Sequence, residues 1–130
     1  MQMRNLTSVL LVAAAMVIGA SAQAMDVKEV DVSVSDVFVP GGFDTGSDVF
    51  VVESGVFPNG CYSWKEARVN HISDTMHEIR SVANVTQGMC IMVLVPFTKE
   101  VRLGQFSAGE HTLRFMNGDG TYLEKTLVVE

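Results

Sequence analysis

Hydrophobic and polar residues alternate along most of the chain after its first 24 residues. The stretch "EVDVSVSDVFV" places Val30, Val32 and Val34 on one side and acidic or hydroxyl residues on the other. A period of two is typical of a half-buried β-strand. Helical periodicity is scarce, and only "SWKEARVNHISDTMHEI" could hide a helical turn.

Seven further β-rich runs follow: "DVFVVESGVF", "YSWKEARVNHI", "HEIRSVANVT", "CIMVLVPF", "EVRLGQF", "EHTLRFM" and "TYLEKTLVVE". Turn-forming residues separate many of these runs, at Pro40–Gly42, Pro58–Gly60, Gln87–Gly88 and Asn117–Gly120. Short strands with regular turns are typical of a sandwich or a small barrel. The pattern predicts one all-β domain, a Greek-key β-sandwich of seven to eight antiparallel strands.

The C-terminal hairpin is the most explicit local prediction. Asn117–Gly120 supplies turn residues that tolerate positive φ, and alternating apolar residues flank it on both sides. Lys125 interrupts the apolar face of the second strand. We expect it at the rim of the core, where its stem packs and its ammonium reaches water.

The first 24 residues predict a secretory leader. Arg4 is their only charge, and it precedes "LTSVLLVAAAMVIGASAQA", an apolar run that ends in small residues. We place cleavage after Ala24, with Ala22 as the alternative, so residues 1–24 form the leader and residues 25–130 the domain. The location expected is a periplasm or the exterior, with no membrane insertion after cleavage.

Charge limits the partners of the exported domain. Without Arg4, the domain has eight lysines and arginines and fifteen acidic residues, which gives a side-chain charge of −7. An acidic surface with scattered lysines does not suit nucleic acid or anionic lipid. We therefore expect no nucleic-acid partner.

Two cysteines, Cys61 and Cys90, remain after cleavage. An even pair in a small exported domain indicates a disulfide, and two cysteines allow one intramolecular pairing. A redox or metal-binding thiol pair is the alternative, but the Cys-x-x-Cys spacing is lacking.

The segment "VRLGQFSAGEHTL" resembles the Leu-x-x-Gly-x-Tyr corner of immunoglobulin-like sandwiches. Phe106, Gly109 and His111 occupy its positions, with histidine in place of tyrosine. The longer run from Cys90 to Val129 resembles uncharacterised secreted immunoglobulin-like β-sandwich domains of bacteria. This resemblance implies a fold and no activity.

"FDTGS", Phe43 to Ser47, nearly spells the Asp-Thr-Gly signature of the aspartic proteases. Those enzymes pair two such carboxylates, each after a hydrophobic strand. Here Pro40–Gly42 precedes the motif, so we expect a solvated turn in which Asp44 and Ser47 bond their own backbone. We assign no catalytic residue and expect no enzyme.

Tyr62-Ser63-Trp64 resembles one loop of the chagasin-like cysteine-protease inhibitors, while the two other loops of that family are absent. We expect Trp64 to pack in the core beside the disulfide. Core packing is likewise expected for Met89 and Met92, which flank Cys90.

Three histidines, His71, His77 and His111, could bind copper or zinc if the fold gathered them. Their spacing is irregular, and His111 already has a place in the corner. We therefore assign no metal ligand and no cofactor.

The sequence as a whole predicts a non-enzymatic protein-binding or structural module of the bacterial envelope. Its partner is an unidentified protein, and its oligomeric state is left open. The predicted partner-binding residues are Phe43, Asp44, Asp48, Phe57, Asn59 and Tyr62. A periplasmic protease inhibitor is the first alternative, and a metal-binding protein is the second.

Overall fold

A computed structural model describes residues 26–130, so the predicted leader lies outside the described residues. These residues form eight strands and no helix. The strands are β1 (Val27–Val32), β2 (Asp36–Phe38), β3 (Val49–Phe57), β4 (Tyr62–His71), β5 (Met76–Thr86), β6 (Val95–Gly104), β7 (Gly109–Met116) and β8 (Tyr122–Val129). The prediction of an eight-stranded all-β sandwich is confirmed.

The strands form a five-stranded and a three-stranded sheet. In the five-stranded sheet, β5 is central. One of its edges pairs with β4, and the other edge pairs with β7 in its first half and with β1 in its second half. β8 pairs with the far edge of β7. The three-stranded sheet has the order β2-β3-β6. One pair, β5 with β7, is parallel, which the antiparallel prediction did not include. The parallel pair arises because the chain leaves the first sheet for β6 and returns to it in the direction of β5.

The alternating run at the start of the domain is two strands and not one. β1 pairs with β5 in one sheet, and β2 pairs with β3 in the other. The chain crosses between the sheets at residues 33–35, where the backbone N–H of Ser35 donates to the carbonyl of Ser54. Val32 and Val34 are both buried because the crossing runs beside the core.

The core lies between the two sheets. β3 directs Val49, Val51 and Phe57 inward, and the five-stranded sheet meets them with residues such as Ile79, Leu113, Phe115 and Leu127. Gly55 also faces inward, because a methyl group there would overlap the ring of Phe97. The absence of a side chain at this position leaves room for the ring of Phe97, which lies directly over Gly55.

The C-terminal hairpin is confirmed. β7 and β8 are antiparallel over their full lengths, and the turn begins at Asn117. Lys125 is half-buried, with its ammonium 3.9 Å from a carboxylate oxygen of Asp36. Its predicted position at the rim is therefore correct.

The predicted disulfide is present, with 5.2 Å between the Cα atoms of Cys61 and Cys90. It joins the beginning of β4 to the β5–β6 connection. The predicted strand over "CIMVLVPF" is wrong in its first half, because β6 begins only at Val95. Met89 and Met92 are exposed and do not pack in the core, since the disulfide holds this segment over the β3–β4 turn, outside the space between the sheets.

Candidate functional site

The Asp44 turn has the self-bonded geometry that the sequence predicts. The Oδ1 atom of Asp44 accepts hydrogen bonds from the backbone of Gly46 at 2.9 Å and the hydroxyl of Ser47 at 3.0 Å. The backbone N–H of Asp44 donates to the Ser47 hydroxyl at 3.1 Å. This carboxylate is therefore engaged in shaping an exposed turn.

The apolar residues proposed as partner anchors lie in the core. Phe43 is buried and meets Phe50 edge-on, and Phe57 is buried and stacks on Phe97 with 4.5 Å between ring centroids. Both assignments are wrong. Phe57 points inward through the alternation of β3, and Phe43 is buried where an isolated bridge joins it to Val129 of β8. Neither ring can anchor a partner in this fold.

The polar residues of the predicted surface are more accessible. Asp44 and Asp48 are exposed, and Asp48 pairs with Arg102 at 2.8 Å. The side chain of Asn59 is half-buried and accepts a hydrogen bond from the backbone of Cys61 at 2.9 Å. The structure thus spreads these residues over separate loops and does not gather them into one site.

Tyr62 and Trp64 are half-buried and belong to the aromatic cluster beside the disulfide. Tyr62 stacks on Phe57, and Trp64 lies against Phe97 with 5.6 Å between centroids. An inhibitory loop would need to present these rings to a protease, whereas here they pack against the domain itself. The expected packing of Trp64 is confirmed.

The three histidines converge at one end of the sandwich. His71 and His77 face each other as the last pair of β4 and β5, and their Nδ1 atoms are 2.6 Å apart. The Nε2 atom of His77 is 2.9 Å from Nδ1 of His111, whose own Nε2 is 2.7 Å from the carbonyl oxygen of Ser107. Phe106 stacks flat on His77, with centroids 4.1 Å apart. The predicted histidine corner is therefore confirmed, and the corner histidine extends into a chain of three rings.

The carbonyl of Ser107 sets the direction of this chain. A carbonyl only accepts, so His111 carries its proton on Nε2 and accepts on Nδ1. His77 must then donate from Nε2, and His71 donates from Nδ1 to the free Nδ1 of His77. In the neutral state one consistent set of tautomers satisfies every ring nitrogen that takes part in the chain, and we assign it from the acceptor at the end of the chain.

Burial makes a charge on the central ring unfavourable. His77 is almost completely buried, and burial, followed by the nearby His71 and His111, lowers its pKa from 6.5 to about 4.

Next to the chain of three histidines, a cleft of about 200 Å³ is lined by His71, Ser73, Asp74 and Gln105. Within residues 26–130, no group of three or more histidine, cysteine or acidic side chains is arranged to hold a metal ion.

A second buried polar pair lies between the sheets. Glu53 points inward from β3 and accepts a hydrogen bond from the hydroxyl of Ser81 on β5 at 2.5 Å. Its Oε1 atom is the only buried side-chain nitrogen or oxygen without a partner in the described part of the chain. Burial raises the pKa of this carboxyl from 4.5 to about 6, although the Ser81 hydroxyl acts in the opposite direction.

Glu53→Gln is expected to raise the free energy of unfolding by about 2 kcal/mol near pH 8 and to have little effect near pH 4. The raised pKa means that the fold prefers the protonated carboxyl, so stability is lost as the pH rises from 4.5 through 6. Urea unfolding at the two pH values measures the difference. Ser81→Ala serves as the control and should destabilise near pH 8, because it leaves the carboxylate without any partner. An equal effect of Glu53→Gln at both pH values would contradict the assignment.

The outer face of the five-stranded sheet carries several ion pairs and also exposes Tyr122 and Val128. Glu29 meets Lys65 and Arg68, and Arg114 meets Glu124 at 3.2 Å. Such exposed pairs contribute little stability, but they keep a sheet face solvated.

The outer face of the three-stranded sheet is different. β3 directs Phe50, Val52 and Val56 outward, opposite to its core residues. Phe38 of β2 pairs with Val52 and is 65% exposed, and Pro96 of β6 pairs with Val56. Residues that pair across strands share a face, so Phe38 with Val52 and Val56 with Pro96 form two apolar patches on either side of the Ser54–Thr98 pair, which we together call the apolar stripe. Glu100 lies opposite Val52, and Arg102 lies opposite Phe50 and pairs with Asp48, so charged side chains border the stripe along β6.

The β5–β6 connection adds a second exposed apolar feature, which we call the apolar loop (residues 87–94). Its exposed aliphatic side chains are Met89, Ile91, Met92, Val93 and Leu94. The Cys61–Cys90 bond and a 2.9 Å hydrogen bond from the backbone of Gly60 to Ile91 hold it against the β3–β4 turn. No charged residue occurs between Gln87 and Thr98.

Comparison with known families gives one match. The model of the ORF11 beta-sandwich domain matches residues 51–129, more than half of the chain. The chain belongs to the ORF11 beta-sandwich domain family. No curated protein and no solved structure matches it.

The part that matches the ORF11 beta-sandwich domain runs from β3 to β8. It contains the disulfide, Glu53, the three histidines and the apolar loop. The strands β1 and β2 precede it, and so do Phe38 and the Asp44 turn. The apolar stripe is therefore shared between the matched region and the strand that precedes it.

Sequence reasoning missed the exposed apolar residues of this ORF11 domain. Phe38 was read as part of a half-buried strand, and Met92 and Leu94 as part of a buried one. One signal was present, since twelve consecutive residues from Gln87 to Thr98 lack a charge and begin directly at a turn. An uncharged apolar run next to a cysteine can form either a core strand or an exposed loop, and its pattern does not separate them. No helix in the described region is long and apolar enough to span a bilayer.

Proposed function

We propose that this chain is an exported, non-enzymatic binding module that docks a protein partner on the outer face of its three-stranded sheet. The observation that carries the proposal is the ring of Phe38, which is 65% exposed beside Val52 on that face. The five-stranded sheet also exposes Tyr122, but the guanidinium of Arg114 lies over that ring, 4.8 Å from its centroid. An apolar centre that includes an exposed aromatic ring is typical of an interface.

The border of the stripe favours a partner of particular charge. Asp48 and Glu100 share the single guanidinium of Arg102, and the exported domain carries a net side-chain charge of −7. Complementary potentials speed association and exclude wrong partners. We therefore propose a partner that places an apolar ridge on the stripe and basic side chains around it.

The non-enzymatic part of the proposal is supported by how the candidate catalytic groups are used. The Asp44 carboxylate is engaged in its own turn. The histidine chain ends on a backbone carbonyl, and among residues 26–130 no hydroxyl or thiol is hydrogen-bonded to a histidine nitrogen. A nucleophile activated by a histidine needs such a contact.

Export and an immunoglobulin-like, bacterial origin belong to the same proposal. The leader pattern of residues 1–24 and the Cys61–Cys90 bond support an oxidising compartment. The bond from His111 to the Ser107 carbonyl reproduces the corner of immunoglobulin-like sandwiches with a different ring. Periplasmic and extracellular locations are both consistent with these features.

A photocrosslinking residue at position 38 tests the docking face in the native envelope. We expect one covalent product with one polypeptide, and the same product when that polypeptide is purified and mixed with the domain. Val56→Asp should abolish the product because it places a charge in the apolar stripe.

The matched control carries the same crosslinker at position 128, an exposed valine on the outer face of the five-stranded sheet. That position should give no product. The absence of a product at position 38, or the same products from both positions, would refute the proposed docking face.

A further inference from the structure

The apolar loop differs in chemistry from the apolar stripe. Its exposed side chains are all aliphatic, and Met92 and Leu94 are 82% and 69% exposed. Protein interfaces concentrate their binding energy in tryptophan, tyrosine and arginine, and leucine and valine are under-represented at such positions. The loop has no aromatic residue and no arginine, whereas the stripe contains the aromatic ring of Phe38 and is bordered by Arg102. The loop therefore suits a partner that can bury aliphatic side chains without making specific contacts to them.

We propose that the apolar loop inserts into the boundary between headgroups and acyl chains of a lipid surface. A lipid surface is the one partner that takes up several projecting aliphatic side chains without a complementary pocket. The loop has five exposed aliphatic residues within six positions, so we expect insertion at the loop. This inference goes beyond the proposed protein-binding function and departs from the sequence expectation that no membrane insertion follows cleavage.

The structure prepares the loop for this contact. The disulfide and the bond from Gly60 to Ile91 fix its backbone before any lipid is present, so less conformational entropy is lost on insertion. The carbonyl of Gly88 also faces the sulfur of Cys90 at 3.5 Å. The aliphatic side chains therefore project from a loop that is held at its base.

Charge selects the type of lipid. The loop contributes no lysine or arginine, and the exported domain is acidic, so anionic headgroups repel it. Zwitterionic headgroups such as phosphatidylcholine have no net charge and do not repel the loop. Binding that depends on apolar burial alone should also be insensitive to salt, unlike the binding of a basic surface.

Vesicle flotation tests the proposal with the oxidised chain that begins at Met25 and retains all eight strands. We expect it to float with phosphatidylcholine vesicles at low and high salt, and to float less when phosphatidylglycerol is added. A variant with Met92→Asp and Leu94→Asp should lose about tenfold or more in partitioning, because aspartate is strongly disfavoured among acyl chains.

Val93→Asp and Val128→Asp form a matched pair. Val93 lies in the loop and is 54% exposed, and Val128 lies on the five-stranded sheet and is 58% exposed. Only the loop substitution should reduce flotation, while both variants should keep the wild-type unfolding midpoint. Phe38→Asp should float normally even if it abolishes docking of the protein partner, which separates the two proposals. Absence of flotation by the wild type, or equal flotation by the loop variants, would overturn the lipid proposal.

Discussion

Removing the disulfide with Cys61→Ala and Cys90→Ser is expected to lower the free energy of unfolding by about 3–4 kcal/mol. The two cysteines are 29 residues apart, and the bond between them restricts the unfolded chain over that whole length. Urea denaturation of the oxidised protein and the variant measures the loss as a shift of the midpoint. The effect is large relative to the total stability of a domain of this size.

Reduction of the wild type with a dithiol provides the control for this experiment. The reduced wild type and the double variant should unfold at similar urea concentrations, since both lack the covalent bond. A variant as stable as the oxidised wild type would show that the unfolded chain is not restricted by the bond. The lower stability should be accompanied by greater protease sensitivity between β5 and β6, where the bond holds the apolar loop.

The second large effect is a pH dependence of the free energy of unfolding, to which the buried groups His77 and Glu53 contribute with opposite signs. The pKa of His77 is lowered to about 4, so the unfolded chain takes up a proton before the fold does. Stability due to His77 is fully present above pH 6.5 and is lost as the pH falls towards 4, by about 3 kcal/mol in total. Glu53, with its raised pKa of about 6, instead gains stability as the pH falls from 6 to 4.5. Between these values the two contributions largely cancel.

Single variants should therefore separate the pH dependence of stability due to His77 from that due to Glu53. His77→Gln retains a donor and an acceptor but does not titrate, so its deficit relative to wild type should shrink by about 3 kcal/mol from pH 6.5 to 4. Glu53→Gln should change in the opposite sense over the range from 6 to 4.5. Urea unfolding at several pH values measures both, and the difference from wild type removes the contributions of the other groups. Profiles parallel to the wild type would show that neither buried group carries the shift.

Local chemistry determined the features that the sequence predicted correctly. The Asp44 turn, the Asn117–Gly120 hairpin and the corner at His111 all depend on residues within a few positions of one another. The disulfide was also predictable, because two cysteines allow a single pairing. Alternation then indicated strands, since a residue that faces the core must be apolar whichever sheet it belongs to.

Features that depend on distant parts of the chain could not be predicted in this way. Alternation does not indicate which sheet a strand joins, so the run that contains β1 and β2 is predicted as a single strand. The histidine chain requires β4, β5 and β7 to meet at one end, with 34 residues between His77 and His111. The sequence of the apolar loop predicts a core strand, because an apolar composition does not indicate whether a segment is buried or exposed.

The two strands that precede the family match have a shared role at sheet edges. Along β5, pairing with β7 ends at Arg80 and pairing with β1 begins at Ser81, so the edge passes from one partner to the next without a gap. Without β1, the backbone from Ser81 to Thr86 would offer open hydrogen-bonding groups to any extended chain, which is a common origin of aggregation. β2 covers part of β3 in the same way. These short N-terminal strands thus cover parts of β5 and β3 that could otherwise pair with copies of the same chain.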